Sequence, residues 1–137
     1  MAEALILFAH GSRDREWVRP FESLRQTIAK RAPQITVALA YLEVTDPPLD
    51  ECIRTLAGQG IESIRVLPLF LAMGKHLRSD IPALAVRVAA EFPELTIEFL
   101  PALGEAPEFI DALERIAVRA VQHGASDALP THALDEA

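Results

Sequence analysis

Two histidines each close an apolar, strand-like run: His10 in LILFAHGSRD and His76 in VLPLFLAMGKH. Imidazole binds first-row metals through a neutral ring nitrogen and exchanges protons near neutral pH. A carboxylate, Glu43, closes a further run in YLE. Imidazole with carboxylate suits iron, cobalt, nickel and zinc, and two or three protein ligands leave positions open for substrate or water. The same groups serve as acids and bases. Each also has a plainer role: a histidine can cap or pack, and Glu43 can be solvated or pair with an arginine. Gly11 and Gly74 stand beside the histidines, where glycine admits a tight turn or the close approach of a ligand, or is an ordinary loop residue. His123 and His132 fall in a polar, Ala-rich C-terminal stretch and read as solvated bystanders.

Cations gather near both histidines. Arg13, Arg15 and Arg19 follow His10, while Lys75 and Arg78 flank His76. The chain as a whole carries a formal net charge of −7. A nucleic-acid partner is therefore disfavoured, because it calls for a basic patch or stripe. Local cations on an acidic protein point instead to an anionic ligand. The competing reading is that they cover helix faces or neutralise Asp14, Glu16 and Asp80; for Arg19 that reading is preferred. Other motifs fail. No GxGxxG follows the first strand, and neither GxxxxGK[ST] nor GxSxG occurs. A histidine phosphatase wants arginine just before its histidine, where this chain has Ala9.

The elements that must position these residues alternate. Ala4–Ala9, Ile35–Leu42, Ile64–Leu69 and Leu95–Leu100 read as strands. Asp14–Arg31 reads as an amphipathic helix through Trp17, Phe21, Leu24 and Ile28, with Pro33 stopping it and Pro20 implying a later start or a kink. Asp46 reads as the N-cap of a second helix, with Leu49, Cys52, Ile53 and Leu56 on one face and Gly58 and Gly60 ending it. A third helix is expected from Leu77 or Asp80 to Glu91, with Ile81, Leu84, Val88 and Phe92 inward. Pro107 opens a last helix whose Phe109, Leu113, Ile116 and Ala120 form the expected buried stripe. Such alternation predicts an α/β fold, a four-stranded parallel sheet with helices on both faces. If the strand order is 2-1-3-4, the flavodoxin-like start, the order reverses between strands 1 and 3, where ligands bind. His10, His76 and Glu43 would then share one crevice.

The 137 residues suit one domain, expected over 1–124, with 125–137 a disordered tail. No apolar run approaches the ~18 residues a membrane span needs, and no signal peptide is visible. Cys52 is the single cysteine and reads as structural, so a reducing cytoplasm is expected.

The residues AHGSRD, YLE followed by DPPL, and LPLFLAMGKHLRSDIP together resemble the sirohydrochlorin chelatases of the CbiX/SirB type, over about residues 4–122. The resemblance implies a flavodoxin-like, chelatase-like fold. It also implies insertion of Co2+, Fe2+ or Ni2+ into the metal-free tetrapyrrole sirohydrochlorin, on routes to cobalamin or siroheme. His10 and His76 map onto metal-binding, proton-accepting histidines, and Glu43 onto an acidic residue of the same site. The metal is then a substrate, and no organic cofactor is implied. Leu71 and Met73, with Leu77, would face the flat ring; Arg13, Lys75 and Arg78 would meet its peripheral carboxylates. Short members assemble as two copies, so a homodimer is implied. The alternative is a non-catalytic metal- or tetrapyrrole-binding protein of the same fold.

Overall fold

A computed structural model describes residues 2–123. The elements run β1 (Glu3–Ala9), α1 (Arg15–Arg31), β2 (Thr36–Tyr41), α2 (Leu49–Gly58), β3 (Ser63–Pro68), α3 (Lys75–Ala89), β4 (Thr96–Phe99) and α4 (Pro107–His123), with a 3-10 turn at Leu103–Glu105. A first compact unit ends at Gly104 and a second begins at Glu105. In the first, all four strands are parallel in the order β2-β1-β3-β4. The expected tail at 125–137, and His132 within it, lie outside the described residues.

The period-2 alternation of the strands builds two cores. Ile6, Phe8, Ala40, Ile64 and Val66 point to one face and pack with Cys52, Ile53 and Leu56 of α2 and with Ile81, Ala85 and Val88 of α3. Leu7, Ala9, Val37, Leu39 and Tyr41 point to the other, under Trp17, Val18, Phe21 and Ile28 of α1. Both faces of β1 are thus covered, which explains its unbroken apolar run. Leu84 and Phe92 join the α3 side as expected.

Several local expectations need correction. Asp14 caps α1, accepting a bond from the Glu16 backbone N–H at 2.9 Å, and Pro20 lies inside that helix rather than at its start. Asp46 does not cap α2. Tyr41 N–H donates to the Pro47 carbonyl at 2.9 Å and Tyr41 bridges Pro48, so the chain runs through bends over 42–47 before Pro48 takes the cap position. The third helix starts earlier than expected. Gly74 takes its cap position and Arg78 N–H bonds the Gly74 carbonyl at 3.0 Å, which puts Lys75 and His76 in the first turn of α3. The last stripe is not buried: Leu113 and Ile116 are 51% and 53% exposed, and Ala120 is exposed too. Helical periodicity reports that a helix has an apolar face, not that something covers it.

Candidate active site

The sheet order puts the carboxyl ends of β2, β1 and β3 side by side, with Ala9 opposite Tyr41 and Phe8 opposite Pro68. Strand order reverses between β1 and β3, the place where open α/β sheets bind ligands. Ladder-like bonds continue past the strand ends. Leu42 N–H reaches the Ala9 carbonyl at 2.9 Å, Glu43 N–H reaches the His10 carbonyl at 3.1 Å, and Leu69 N–H reaches the Phe8 carbonyl at 2.8 Å. These bonds hold Glu43 directly beside His10. Their side chains meet, with Nε2 of His10 2.9 Å from Oε1 of Glu43. The side chains are 56% and 59% exposed, so the pair faces solvent and is open to an incoming ligand.

The loop after β1 and the loop after β2 are latched together. Ser12 N–H donates to Thr45 Oγ1 at 2.9 Å, and that hydroxyl donates to the Ser12 carbonyl at 2.9 Å. The approach is so close that a Cβ on Gly11 would stand 1.9 Å from the Glu43 carbonyl oxygen, and Gly11 has φ +102°. Only glycine meets both conditions, so the ordinary-loop reading of Gly11 gives way to a close-contact role. Val44, between Glu43 and Thr45, adopts φ +69° although it is β-branched and 60% exposed. Such a conformation costs on the order of 1–3 kcal/mol and persists where neighbours impose it. Here the imposing neighbours are the Gly11 contact and the Thr45 latch.

The loop after β3 approaches His10 through Phe70, whose ring centroid lies 6.4 Å away in an edge-on arrangement. Phe70 in turn stands edge-on to Phe8 of the core at 5.6 Å. The loop is held from behind by Gly104. Its N–H bonds the Phe70 carbonyl at 3.0 Å, and a Cβ there would stand 1.7 Å from the Leu71 carbonyl oxygen. His76 sits exposed in the first turn of α3, seven residues after Leu69 begins this loop. No contact joins it to the His10–Glu43 pair, and among the described residues no group of three or more His, Cys, Asp or Glu is gathered. The geometry thus brings together two of the three expected donors. Leu71 is 69% exposed, Met73 is half-buried against the core, and Lys75 and Arg78 are exposed without an ion pair among the described residues.

Two buried groups near the frame are chemically quiet. Burial, and secondarily the charge of Glu22, raises the Tyr41 phenol, which stays neutral. Burial pushes the Cys52 thiol up to about 11, as suits a core residue and not a nucleophile. The residues not singled out by sequence reasoning are Thr45, Val44, Phe70 and Gly104. Each acts where loops distant in sequence meet, Thr45 and Phe70 through their side chains and Val44 and Gly104 through the backbone. The GS pair after the first strand was the signal available for the first latch; nothing local marks Gly104.

Three comparisons with known proteins bear on this arrangement. A family model described as CbiX matches residues 4–128. A chloroplastic sirohydrochlorin ferrochelatase of Arabidopsis thaliana is 27% identical over 127 residues, covering 93% of this chain and 56% of its own. Among solved structures, a CbiX protein from Marinobacter aquaeolei superposes with a TM-score of 0.74 at 35% identity, covering 89% of this chain and 99% of its own. The sirohydrochlorin chelatase SirB from Bacillus subtilis subspecies spizizenii, solved with cobalt, has a TM-score of 0.67 at 25% identity, covering 88% of this chain and 52% of its own. The chain therefore spans about half the length of the ferrochelatase and of SirB.

Proposed function

The chain belongs to the CbiX family, and on that footing we propose that it is a sirohydrochlorin chelatase, inserting divalent cobalt or iron into the metal-free tetrapyrrole during cobalamin or siroheme biosynthesis. The observation that carries this reading is the His10–Glu43 pair at the carboxyl ends of β1 and β2, with β1 bordering the switch point. Metal–nitrogen and metal–oxygen bonds of ~2.1 Å at right angles set two ligands ~3.0 Å apart. The observed separation of 2.9 Å matches such an edge. One ion can thus be taken up by both groups with little rearrangement, while the remaining coordination positions stay open.

Insertion exchanges one divalent ion for two pyrrole N–H protons, so the ring leaves as a dianionic ligand and two protons go to acceptors. His10 and His76 hold the incoming metal substrate through neutral nitrogens. Glu43 accepts one proton as the ring nitrogens deprotonate, and the second goes to solvent water at this exposed site. Before the metal arrives, the contact of Glu43 with His10 Nε2 at 2.9 Å holds the imidazole in place. Met73 and Leu71 offer apolar surface to the ring; Arg13, Lys75 and Arg78 meet carboxylates at its rim. His76 reaches the pair from the first turn of α3 as the loop behind Phe70 adjusts to substrate. That the ferrochelatase and SirB are about twice as long supports a homodimer as the working unit; a single buried free cysteine accords with the cytoplasm as its place of action. No helix among the described residues is long and apolar enough to cross a membrane.

The test is turnover. Purified chain with sirohydrochlorin and Co2+ or Fe2+ should change the tetrapyrrole absorbance faster than metal alone. His10→Ala and His76→Ala should each remove most of that acceleration. Metal and tetrapyrrole binding without acceleration would establish a carrier instead, and unimpaired turnover in the double variant would refute the site.

A further inference from the structure

A groove of about 680 Å³ lies between the loops after β1 and β2, which begin with His10 and Glu43, and the start of α1. Ser12, Arg13, Arg15, Val18, Val44 and Thr45 form its walls. We propose that this groove is a subsite for one carboxylate-bearing side arm of the macrocycle, gripped by Arg13 and Arg15; the inference rests on the chelatase reading and names how its substrate is oriented.

Four observations converge. First, Arg13 and Arg15 make no ion pair among the described residues, whereas the nearby Arg19 and Arg25 are taken up by Glu16 at 3.1 Å and Glu22 at 3.3 Å. Arginine presents a planar fork suited to a carboxylate. The carboxylates on the groove wall are Glu22, already engaged by Arg25, and Asp46. Counting Arg19, the wall keeps a net positive charge.

Second, Ser12 has an unspent donor. Its Oγ accepts from the Asp14 N–H at 3.1 Å, leaving the hydroxyl proton for a ligand. Thr45 Oγ1 has none, since it donates to the Ser12 carbonyl and accepts from the Ser12 N–H. Third, Val18 and Val44 supply apolar wall, as the short aliphatic stem of such an arm requires. Val44 is held there at φ +69° with its side chain 60% exposed, so packing does not repay the strain. Fourth, the groove is tethered to the metal pair in sequence. Arg13 is three residues beyond His10, and Val44 directly follows Glu43. An arm seated here would register the ring over the pair.

The experiment compares sirohydrochlorin with its fully methylated ester, using quenching of Trp17, the single tryptophan, as the binding signal. Arg15→Gln should weaken binding of the free acid roughly tenfold, and Arg13→Gln with Arg15→Gln roughly a hundredfold, in line with charged hydrogen bonds. Neither should alter binding of the ester, and the unaltered chain should bind the ester more weakly still than the double variant binds the acid, because esterification also removes the carboxylates that Lys75 and Arg78 meet. Both arginines are exposed, so melting temperature and Co2+ affinity should be unchanged. A double variant that binds the acid as tightly as the unaltered chain, or that loses acid and ester alike, overturns the subsite. An unaltered chain that binds neither form overturns the chelatase reading itself, and the subsite with it.

Discussion

Replacing Gly11 by alanine tests whether the loops after β1 and β2 must touch for the site to exist. The new Cβ would stand 1.9 Å from the Glu43 carbonyl oxygen and 3.1 Å from its carbon. Non-bonded heavy atoms rest about 3.5 Å apart, so one loop must retreat by on the order of 1.5 Å. That retreat stretches the Glu43–His10 backbone bond at 3.1 Å and the two Ser12–Thr45 bonds at 2.9 Å. Each such bond contributes about 1 kcal/mol. The φ of +102° adds about 1–2 kcal/mol for any residue with a Cβ. The sum, ~3–5 kcal/mol, lowers the melting temperature of a domain of this size by roughly 10–20 °C. If the loops instead part locally, stability is spared and the His10–Glu43 spacing opens, so Co2+ affinity falls. Circular-dichroism melts and a cobalt titration read the two outcomes side by side. Gly58→Ala is the control, since its Cβ would meet nothing within 4 Å. Unchanged melting together with unchanged cobalt affinity in Gly11→Ala would refute the argument that this contact builds the site.

Glu43→Gln should leave stability within about 1 kcal/mol, because a side-chain contact this exposed contributes little, yet weaken Co2+ binding about tenfold or more; equal losses in urea melts and in titration would mean the pair is structural. Val44→Gly should raise the urea midpoint by the equivalent of about 1 kcal/mol, since glycine accepts φ +69° freely; a lowered midpoint would show that the valine side chain packs. Cys52 should resist alkylation in the folded chain. Its thiol rises from 9.0 to about 11, so at pH 8 its ionised fraction is about 100-fold below that of the unfolded chain. The linkage has a definite sign. The neutral buried thiol stabilises the fold below its unfolded pKa, and that contribution is lost as pH climbs from 9.0 towards about 11; native-state labelling as fast as unfolded-state labelling would contradict this.

Much of this was legible in the sequence because period and punctuation act locally. Apolar runs marked all four strands, and the helices followed from 3.6-residue spacing. The strand order was an assumption of fold type that the backbone ladder then bore out. The His10–Glu43 contact followed from that order, since adjacent strands end side by side. What escaped was decided by contacts between segments far apart in the chain. Gly104 holds the loop of Phe70 and Leu71, yet nothing around residue 104 announces it. His76 closes a strand-like run in the sequence, but Gly74 starts α3 early enough to carry it onto a helix. The exposed face of α4 escaped for a different reason: amphipathic spacing does not say what the face meets.

The openness of the His10–Glu43 pair bears on the kind of site proposed. A structural ion bound by four protein ligands contributes about 10–16 kcal/mol, which would hold a metal for the lifetime of the fold. On the proposed reading the preformed part of the site is two ligands, His10 and Glu43, and both side chains are more than half exposed. Half of that energy corresponds to dissociation constants on the order of 1 μM to 0.1 mM. An ion held at that strength can exchange into a competing four-nitrogen ring, whereas one held tenfold or a hundredfold more tightly for every added ligand could not leave. Weak retention by few donors, rigidly spaced by latched loops, is what a site needs if its metal is cargo. The same latches explain why rigidity and openness coexist here: the backbone bonds after β1 and β2 fix the donors, so no enclosing shell is required to aim them.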